Sequence, residues 1–120
     1  MASPFFKIPE DRWIASNALA FSFLDPYPQS LGHSLVVTRR IAPTWLDATP
    51  AERAAMMELV DRVVEFLEKE HAPDGFHVGT NIGEAAGQSV FHVHVHVIPR
   101  YEGDGGPDNG VRGVLPLVGR

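Results

Sequence analysis

Apolar residues along this chain follow a two-residue period in some segments and a helical period in another. Aromatic and β-branched residues concentrate in four short segments, and prolines or glycines lie close to the end of each one. Apolar runs bounded by residues that interrupt a sheet ladder are typical of strands. The pattern therefore predicts strands at residues 17–24, 33–38, 75–81 and 89–98.

A long amphipathic helix is predicted between the second and third of these strands. Thr49 supplies a capping hydroxyl, Pro50 occupies the first helical position, and Glu52 completes a capping box. The residues that follow form one apolar stripe at helical spacing: Met56, Val60, Val63, Val64 and Leu67. Because a proline and a glycine follow soon afterwards, the helix is expected to run from Thr49 to about Glu70.

The order strand, strand, helix, strand, strand favours an α+β fold. We expect an antiparallel sheet of about five strands, with the long helix packed on one face. A short helix is also expected near residues 43–46. The whole chain, 1–120, is interpreted as one domain, with an N-terminal segment at 1–12 and a loop-rich, glycine-containing tail at 101–120.

Composition narrows the class of protein. The 120 residues carry a formal net charge of −5, which argues against nonspecific nucleic-acid binding because that binding needs a basic face. No apolar run approaches the roughly 20 residues of a membrane span, and the first residues lack the hydrophobic core of a secretory signal. Cysteine is absent, which excludes disulfides and a thiol nucleophile. We therefore expect a cytoplasmic protein that binds neither nucleic acid nor membranes.

The last predicted strand carries an unusual set of three histidines at every second position. Since successive side chains of a strand point to opposite faces, the three imidazoles share one face, about 6.6 Å apart. That face carries His92, His94, His96 and Ile98, whereas the face expected to pack on the helix carries Phe91, Val93, Val95 and Val97. The three histidines are called the histidine row below.

Two kinds of chemistry fit the histidine row. In the first, the row binds a metal ion, with His33 or Asp25 completing the ligands. In the second, one imidazole is a nucleophile or general base, and the others orient it and protonate a leaving group. The loop before the row contains several glycines, whose main-chain N–H groups can form an anion-binding nest. A neutral histidine facing such a phosphate cradle favours attack on phosphorus.

Residues 81–100 (NIGEAAGQSVFHVHVHVIPR) resemble the signature of the histidine triad (HIT) family. The resemblance continues upstream in residues 23–28 (FLDPYP) and 32–37 (GHSLVV), and it extends from about Phe5 to the end of the chain. It implies a HIT-like fold and a nucleotide hydrolase or transferase. The implied substrates are dinucleoside polyphosphates or nucleoside phosphoramidates, cleaved at the α-phosphate through a covalent nucleotidyl-histidine.

The resemblance also implies a role for each histidine of the site. His94 matches the nucleophile, and the main-chain carbonyl of His92 is expected to hold its second nitrogen. His96 matches the residue that contacts the phosphate and donates to the leaving group, and His33 matches an orienting fourth histidine. The implied nucleotide contacts are Asn81, Gly87, Gln88 and Ser89 for the phosphate, Asp25 for the ribose, and Phe5, Ile8 and Phe23 for a purine base.

Further expectations concern cofactors, partners and alternative functions. The family members that bind a structural zinc use cysteines, which this chain lacks, so no metal and no cofactor is expected. A homodimer is expected because the open edges of a small sheet favour pairing, and the apolar stripe of the helix could be shared with a partner helix. Two alternatives stay open at this point: a metal-dependent hydrolase that uses the histidine row, and a nucleotide-binding module without catalysis.

Overall fold

The computed structural model describes residues 3–104. The strands are β1 (Trp13–Ser16), β2 (Ala20–Leu24), β3 (Ser34–Thr38), β4 (Gly75–Gly79) and β5 (His94–Arg100), and the long helix is α1 (Pro50–His71). Short 3-10 helices lie at Pro4–Lys7, Glu10–Arg12, Trp45–Asp47 and Glu84–Ala86. Most of the predicted C-terminal tail, residues 105–120, lies outside the described residues. No helix within residues 3–104 combines the length and the apolar character needed to cross a membrane.

The strands form one antiparallel sheet in the order β1-β2-β3-β5-β4. This confirms the predicted α+β architecture of five strands with one long helix. The expected short helix is a 3-10 turn at Trp45–Asp47. Since β5 lies between β3 and β4, the histidine row reaches the interior of the sheet, where neighbouring strands can fix its side chains.

The first predicted strand, 17–24, is wrong at its beginning, and β1 was not predicted at all. The Asn17 side-chain oxygen accepts hydrogen bonds from the main-chain N–H groups of Leu19, at 3.1 Å, and Ala20, at 2.9 Å. This local bonding makes a tight turn, so β2 starts at Ala20. The preceding β1 pairs with β2 across that turn and forms one edge of the sheet.

The predicted strand 89–98 is shifted, because β5 begins at His94 and continues through Pro99. Proline cannot donate a main-chain hydrogen bond, so it is tolerated in a strand only where one side is unpaired. Pro99 meets this condition, because β4 pairs with it on one side, whereas the pairing of β3 with β5 ends at Val97 on the other side. The chain before His94 is outside the ladder. Phe91 is accordingly 46% exposed, and the expectation that it packs on the helix is wrong.

Helix α1 has the predicted capping box. Thr49 accepts from the Glu52 N–H at 3.1 Å, and Glu52 accepts from the Thr49 N–H at 2.9 Å. The helix buries Met56, Leu59, Val60, Val63 and Leu67 against one face of the sheet, which contributes Ala20, Val36, Val95 and Val97, and against Val93 just before β5. The stripe packs on the chain's own sheet, and its sharing with a partner helix stays a prediction.

The opposite face of the sheet carries the histidines and a second apolar cluster. This cluster consists of Phe5, Phe21, Phe23, Leu35 and Val37. Phe5 belongs to the 3-10 helix Pro4–Lys7 and is only 5% exposed. The N-terminal segment thus covers part of the sheet face that carries the histidines.

Candidate active site

The histidine row lies on the sheet face opposite the helix, as its spacing predicts. His94 is opposite Val37 of β3, and His96 is opposite Leu35. The centroids of the His94 and His96 rings are 5.2 Å apart and the rings are inclined by 65° to each other, so the rings lie closer than the spacing of about 6.6 Å that the strand rise predicts. The row is buried, with His96 fully enclosed and His94 3% exposed.

The hydrogen bonds of His94 determine which of its nitrogens carries a proton. Nδ1 of His94 lies 2.7 Å from the main-chain carbonyl oxygen of His92. Since a carbonyl only accepts, Nδ1 must be the donor. Nε2 of the neutral ring therefore carries the lone pair, which is the form that can attack an electrophile.

His33 and His96 form a second pair with a defined direction. The main-chain N–H of Gln29 donates to Nδ1 of His33 at 2.9 Å. A neutral His33 consequently carries its proton on Nε2, which lies 3.0 Å from Nδ1 of His96 and donates to it. The proton of neutral His96 is then on Nε2. The hydrogen bonds thus run in one direction, from Gln29 through His33 to His96.

Asp25 lies beside this pair. One carboxylate oxygen is 3.4 Å from Nε2 of His33, and the side chains of both residues are fully buried. The other oxygen accepts from the main-chain N–H of Tyr27 at 2.9 Å, which closes the turn after β2. Asp25 therefore serves the fold and also faces the histidines.

His92 has a different environment from the other two members of the row. Its Nε2 lies 2.6 Å from the Thr38 carbonyl oxygen and must donate to it, so Nδ1 accepts from the Ser3 hydroxyl at 2.7 Å. Burial lowers the pKa of His92, and the bond to the Thr38 carbonyl partly offsets that effect. Since both ring nitrogens are bonded to the protein, the His92 side chain holds the row in place.

A cavity of about 480 Å³ lies on the same face of the sheet. It brings together four residues predicted to hold a nucleoside: Phe5, Ile8, Phe23 and Asp25. The rest of its lining is formed by Pro4, Pro26, Tyr27, Gln29, Leu35 and Val90. The Phe5 ring also contacts the His94 ring, at 5.0 Å between centroids, so the cavity adjoins the histidine row. Apolar walls with one carboxylate suit a base and a ribose.

The loop between β4 and β5 holds the residues predicted to contact phosphate. Gly83 and Gly87 have φ angles of 91° and 101°, which favour glycine. A Cβ atom added at Gly87 would lie 3.4 Å from the side-chain nitrogen of Asn81, so that Asn81 packs closely on this turn. Ser89 lies in the same loop and is exposed.

Gln88 is buried beneath the loop and braces it. Its side-chain nitrogen donates to the carbonyls of Pro43 at 2.7 Å and Val90 at 3.0 Å, and its side-chain oxygen accepts from the Gly83 N–H at 2.9 Å. The main-chain N–H of Gln88 donates to the Gly83 carbonyl as well. We expect Gln88 to shape the phosphate loop, while Asn81, Gly87 and Ser89 remain the predicted direct contacts.

The histidines can also be tested for their fit to a metal ion. Within residues 3–104, Asp25, His33 and His96 place one potential ligand atom each within 4.8 Å of the others. A metal ligand must present an unprotonated nitrogen, however, and the Gln29 bond puts the proton of neutral His33 on Nε2. His92 has both nitrogens engaged by Ser3 and Thr38. The ring nitrogens of His33 and His92 are therefore better suited to a hydrogen-bonded relay than to a metal centre.

Several partners of the site were not predicted from the sequence. The Gln29 N–H, the Thr38 carbonyl and the Ser3 hydroxyl set the protonation of the histidines. Two of these are main-chain groups, which any residue supplies, so no side-chain pattern indicates them. The third, Ser3, lies 89 residues from His92 in sequence, and no local motif links the two.

Comparison with known proteins finds relatives along most of the chain. The family model of the HIT domain matches residues 7–103. A Mycobacterium tuberculosis protein named AP-4-A phosphorylase is 37% identical over 109 residues, which cover 86% of this chain and 56% of that protein. The adenylylsulfatase HINT3 of Arabidopsis thaliana is 37% identical over 102 residues, which cover 85% of this chain and 49% of that protein. This chain therefore spans about half the length of these two relatives.

A solved structure has the same fold. The crystal structure of a Hit-like protein involved in cell-cycle regulation from Bartonella henselae aligns with a TM-score of 0.75 and 29% identity. The alignment covers 82% of this chain and 75% of that one. The sheet and helix described above are thus a known arrangement.

Proposed function

Because this chain belongs to the HIT family, we propose that it is a cytoplasmic nucleotide hydrolase or nucleotidyl transferase that cleaves its substrate at the α-phosphorus. The resemblance predicted from the histidine row and its flanking residues is confirmed by the family match. One observation carries the proposed chemistry. The bond from His94 to the His92 carbonyl leaves the lone pair of a neutral imidazole on Nε2, next to a cavity of nucleoside size.

The first step of the proposed reaction forms a covalent intermediate. Nε2 of His94 attacks the α-phosphorus, a P–N bond forms, and the bond from phosphorus to the leaving group breaks. The attacking imidazole of His94 becomes positively charged, and the His92 carbonyl, 2.7 Å from Nδ1, stabilises that charge. The Nε2–H of His96 donates a hydrogen bond to the leaving group as it departs, and a leaving group that must gain a proton, such as an amine, takes it from water or from a protonated group of the substrate. Dividing one difficult displacement into two easier steps is the usual benefit of a nucleophilic side chain.

The second step returns the enzyme to its starting state. Water attacks the phosphorus, the electron pair of the P–N bond returns to Nε2 of His94, and the attacking water releases its proton to solvent. His33 keeps its Nε2 proton directed at Nδ1 of His96 throughout, so that the proton of neutral His96 stays on Nε2, the nitrogen that hydrogen-bonds to the leaving group. If another nucleophile replaces water, the same intermediate gives transfer instead of hydrolysis. These steps need no cofactor.

The cavity supports a nucleoside as the part of the substrate that is held. Asp25, Phe5, Ile8 and Phe23 line this one cavity, which supports a role for the carboxylate in accepting from ribose hydroxyls and for the apolar side chains in contacting a purine base. The names of the two relatives, AP-4-A phosphorylase and adenylylsulfatase, share an adenylyl group but differ in the group attached to it. We therefore propose that this site selects a nucleoside monophosphate and accepts more than one leaving group, including a second nucleotide or an amine.

Turnover of nucleoside phosphoramidates and dinucleoside polyphosphates is the experiment that tests this proposal. We expect release of a nucleoside monophosphate from at least one of these classes, and the same kcat for phosphoramidates after dialysis against EDTA. Activity abolished by EDTA and restored by zinc would favour the metal-dependent alternative. Nucleotide binding without turnover of either class would instead identify a binding module.

We further propose that the chain forms a homodimer. Strand β4 is one edge of the sheet, and Val78 on this strand is 45% exposed. An exposed apolar residue on an open edge favours pairing with another chain. We expect light scattering at micromolar concentration to give about twice the chain mass of 13.2 kDa, and Val78→Lys to lower that mass. A monomeric mass for the unmodified protein would overturn the proposal.

A further inference from the structure

The hydroxyl of Ser3 joins the N-terminal segment to the histidine row. Ser3 is 4% exposed and His92 is 1% exposed, so their 2.7 Å bond is shielded from water. The same hydroxyl oxygen accepts from the main-chain N–H of Phe5 at 3.2 Å and so caps the 3-10 helix that follows. The Ser3 hydroxyl therefore donates its single hydrogen bond to Nδ1 of His92 and accepts one from Phe5.

The bond between Ser3 and His92 is connected to the proposed nucleophile, His94, through the main chain of His92. The His92 ring is held from two sides, by Ser3 at Nδ1 and by the Thr38 carbonyl at Nε2. His92 and Val93 precede β5, and outside the ladder their shared peptide unit is held by the Val93 N–H, which donates to the Ala42 carbonyl at 2.7 Å. The His92 carbonyl of this peptide unit accepts the Nδ1 proton of His94. The two bonds of the His92 ring add to the Val93 bond in fixing the residue whose carbonyl orients His94.

We infer that Ser3 is a positioning residue for His94, acting through His92, an inference that rests on the proposed function for its effect on turnover. Ser3 does not line the cavity and has no direct contact with the proposed reacting atoms. Its role is to fix the His92 ring, and with it the carbonyl that keeps the Nε2 lone pair of His94 available and correctly directed. Orientation errors of this kind are costly, because small displacements of a reacting group lower rates by about 10²-fold.

Ser3→Ala separates this role from simple stability. We expect kcat to fall on the order of tenfold, while KM changes by less than about twofold because burial of Phe5 keeps the segment and the cavity wall in place. Ser3→Thr, which keeps the hydroxyl, should restore most of the lost kcat. The matched control is Ser22→Ala, which removes another fully buried serine hydroxyl, bonded to Ala15 on the helix side of the sheet. This control should lower the melting temperature and leave kcat unchanged.

Ring-proton exchange measured by NMR provides a readout that does not depend on activity. In the unmodified protein the Nδ1 proton of His94 should exchange slowly with water, and in Ser3→Ala it should exchange about tenfold faster. An unchanged exchange rate, or a loss of kcat no greater than in Ser22→Ala at an equal loss of melting temperature, would overturn the role of Ser3. If the unmodified protein turns over none of the proposed substrates, the proposed function fails, and the exchange rate still decides the role of Ser3.

Discussion

Replacing His94 with alanine is expected to lower kcat by at least about 10³-fold while nucleoside monophosphate binding stays within a few-fold of the original. The reason is that the variant loses the only proposed nucleophile. The cavity that holds the nucleoside, lined by Phe5, Phe23 and Asp25, stays in place. Single-turnover kinetics and calorimetric titration with a nucleoside monophosphate measure the two effects separately.

His77→Ala is a suitable control for the His94 experiment. His77 lies on β4, at the edge of the sheet, and belongs to none of the hydrogen bonds that define the site. It should therefore retain most of the activity. Should His94→Ala keep more than a tenth of the original kcat under the same conditions, the assignment of the nucleophile is wrong.

Replacing His96 with alanine is expected to lower kcat by about 10²–10³-fold for substrates with poor leaving groups, which is the usual cost of losing one preorganised hydrogen-bond donor to a developing negative charge. Negative charge develops on an alkylamine nitrogen or a phosphate oxygen as its bond to phosphorus breaks, and the Nε2–H of His96, oriented by the His33 bond, is the donor to that atom. A nitrophenol leaves readily as an anion. For a nitrophenyl ester of a nucleoside monophosphate we therefore expect a loss of less than about tenfold.

Comparing the two substrates on the same His96 variant separates the loss of the leaving-group donor from a loss of protein stability. A folding defect lowers kcat for both leaving groups by the same factor, whereas loss of a hydrogen-bond donor to the leaving group lowers kcat mainly for the poor one. Equal losses for the amine and the nitrophenol would show that His96 is not the donor to the leaving group. His33→Ala should show the same selectivity in weaker form, since it changes only the orientation of the His96 protons.

The sequence correctly predicts those structural features that depend only on residues close together in the chain. Thr49 and Glu52 form the predicted capping box, with Pro50 at the first helical position, because all three act within one turn of the helix. The start of β2 was predicted too early, because Asn17 bonds to the main chain of Leu19 and Ala20 and forms a turn there. A run of apolar residues does not reveal such a turn.

The candidate site also combines features that the local sequence predicts with features that depend on distant parts of the chain. The two-residue period correctly places His94 and His96 on the face away from the helix. The period also predicts that Phe91 lies toward the helix, which is wrong because the ladder begins only at His94. The protonation of each imidazole depends on groups that are distant in sequence or belong to the main chain, such as the Thr38 carbonyl and the Gln29 N–H. These partners become visible only in the folded chain.

Mass spectrometry of rapidly quenched turnover tests the central claim most directly. The enzyme is mixed with excess substrate, quenched at alkaline pH, where a phosphorus–nitrogen bond to histidine survives, and digested. We predict a peptide spanning residues 92–96 that carries one nucleoside monophosphate, with the modification on His94 and absent from His94→Ala. An active enzyme that shows no such adduct during the burst phase would contradict the covalent mechanism and indicate direct attack by water.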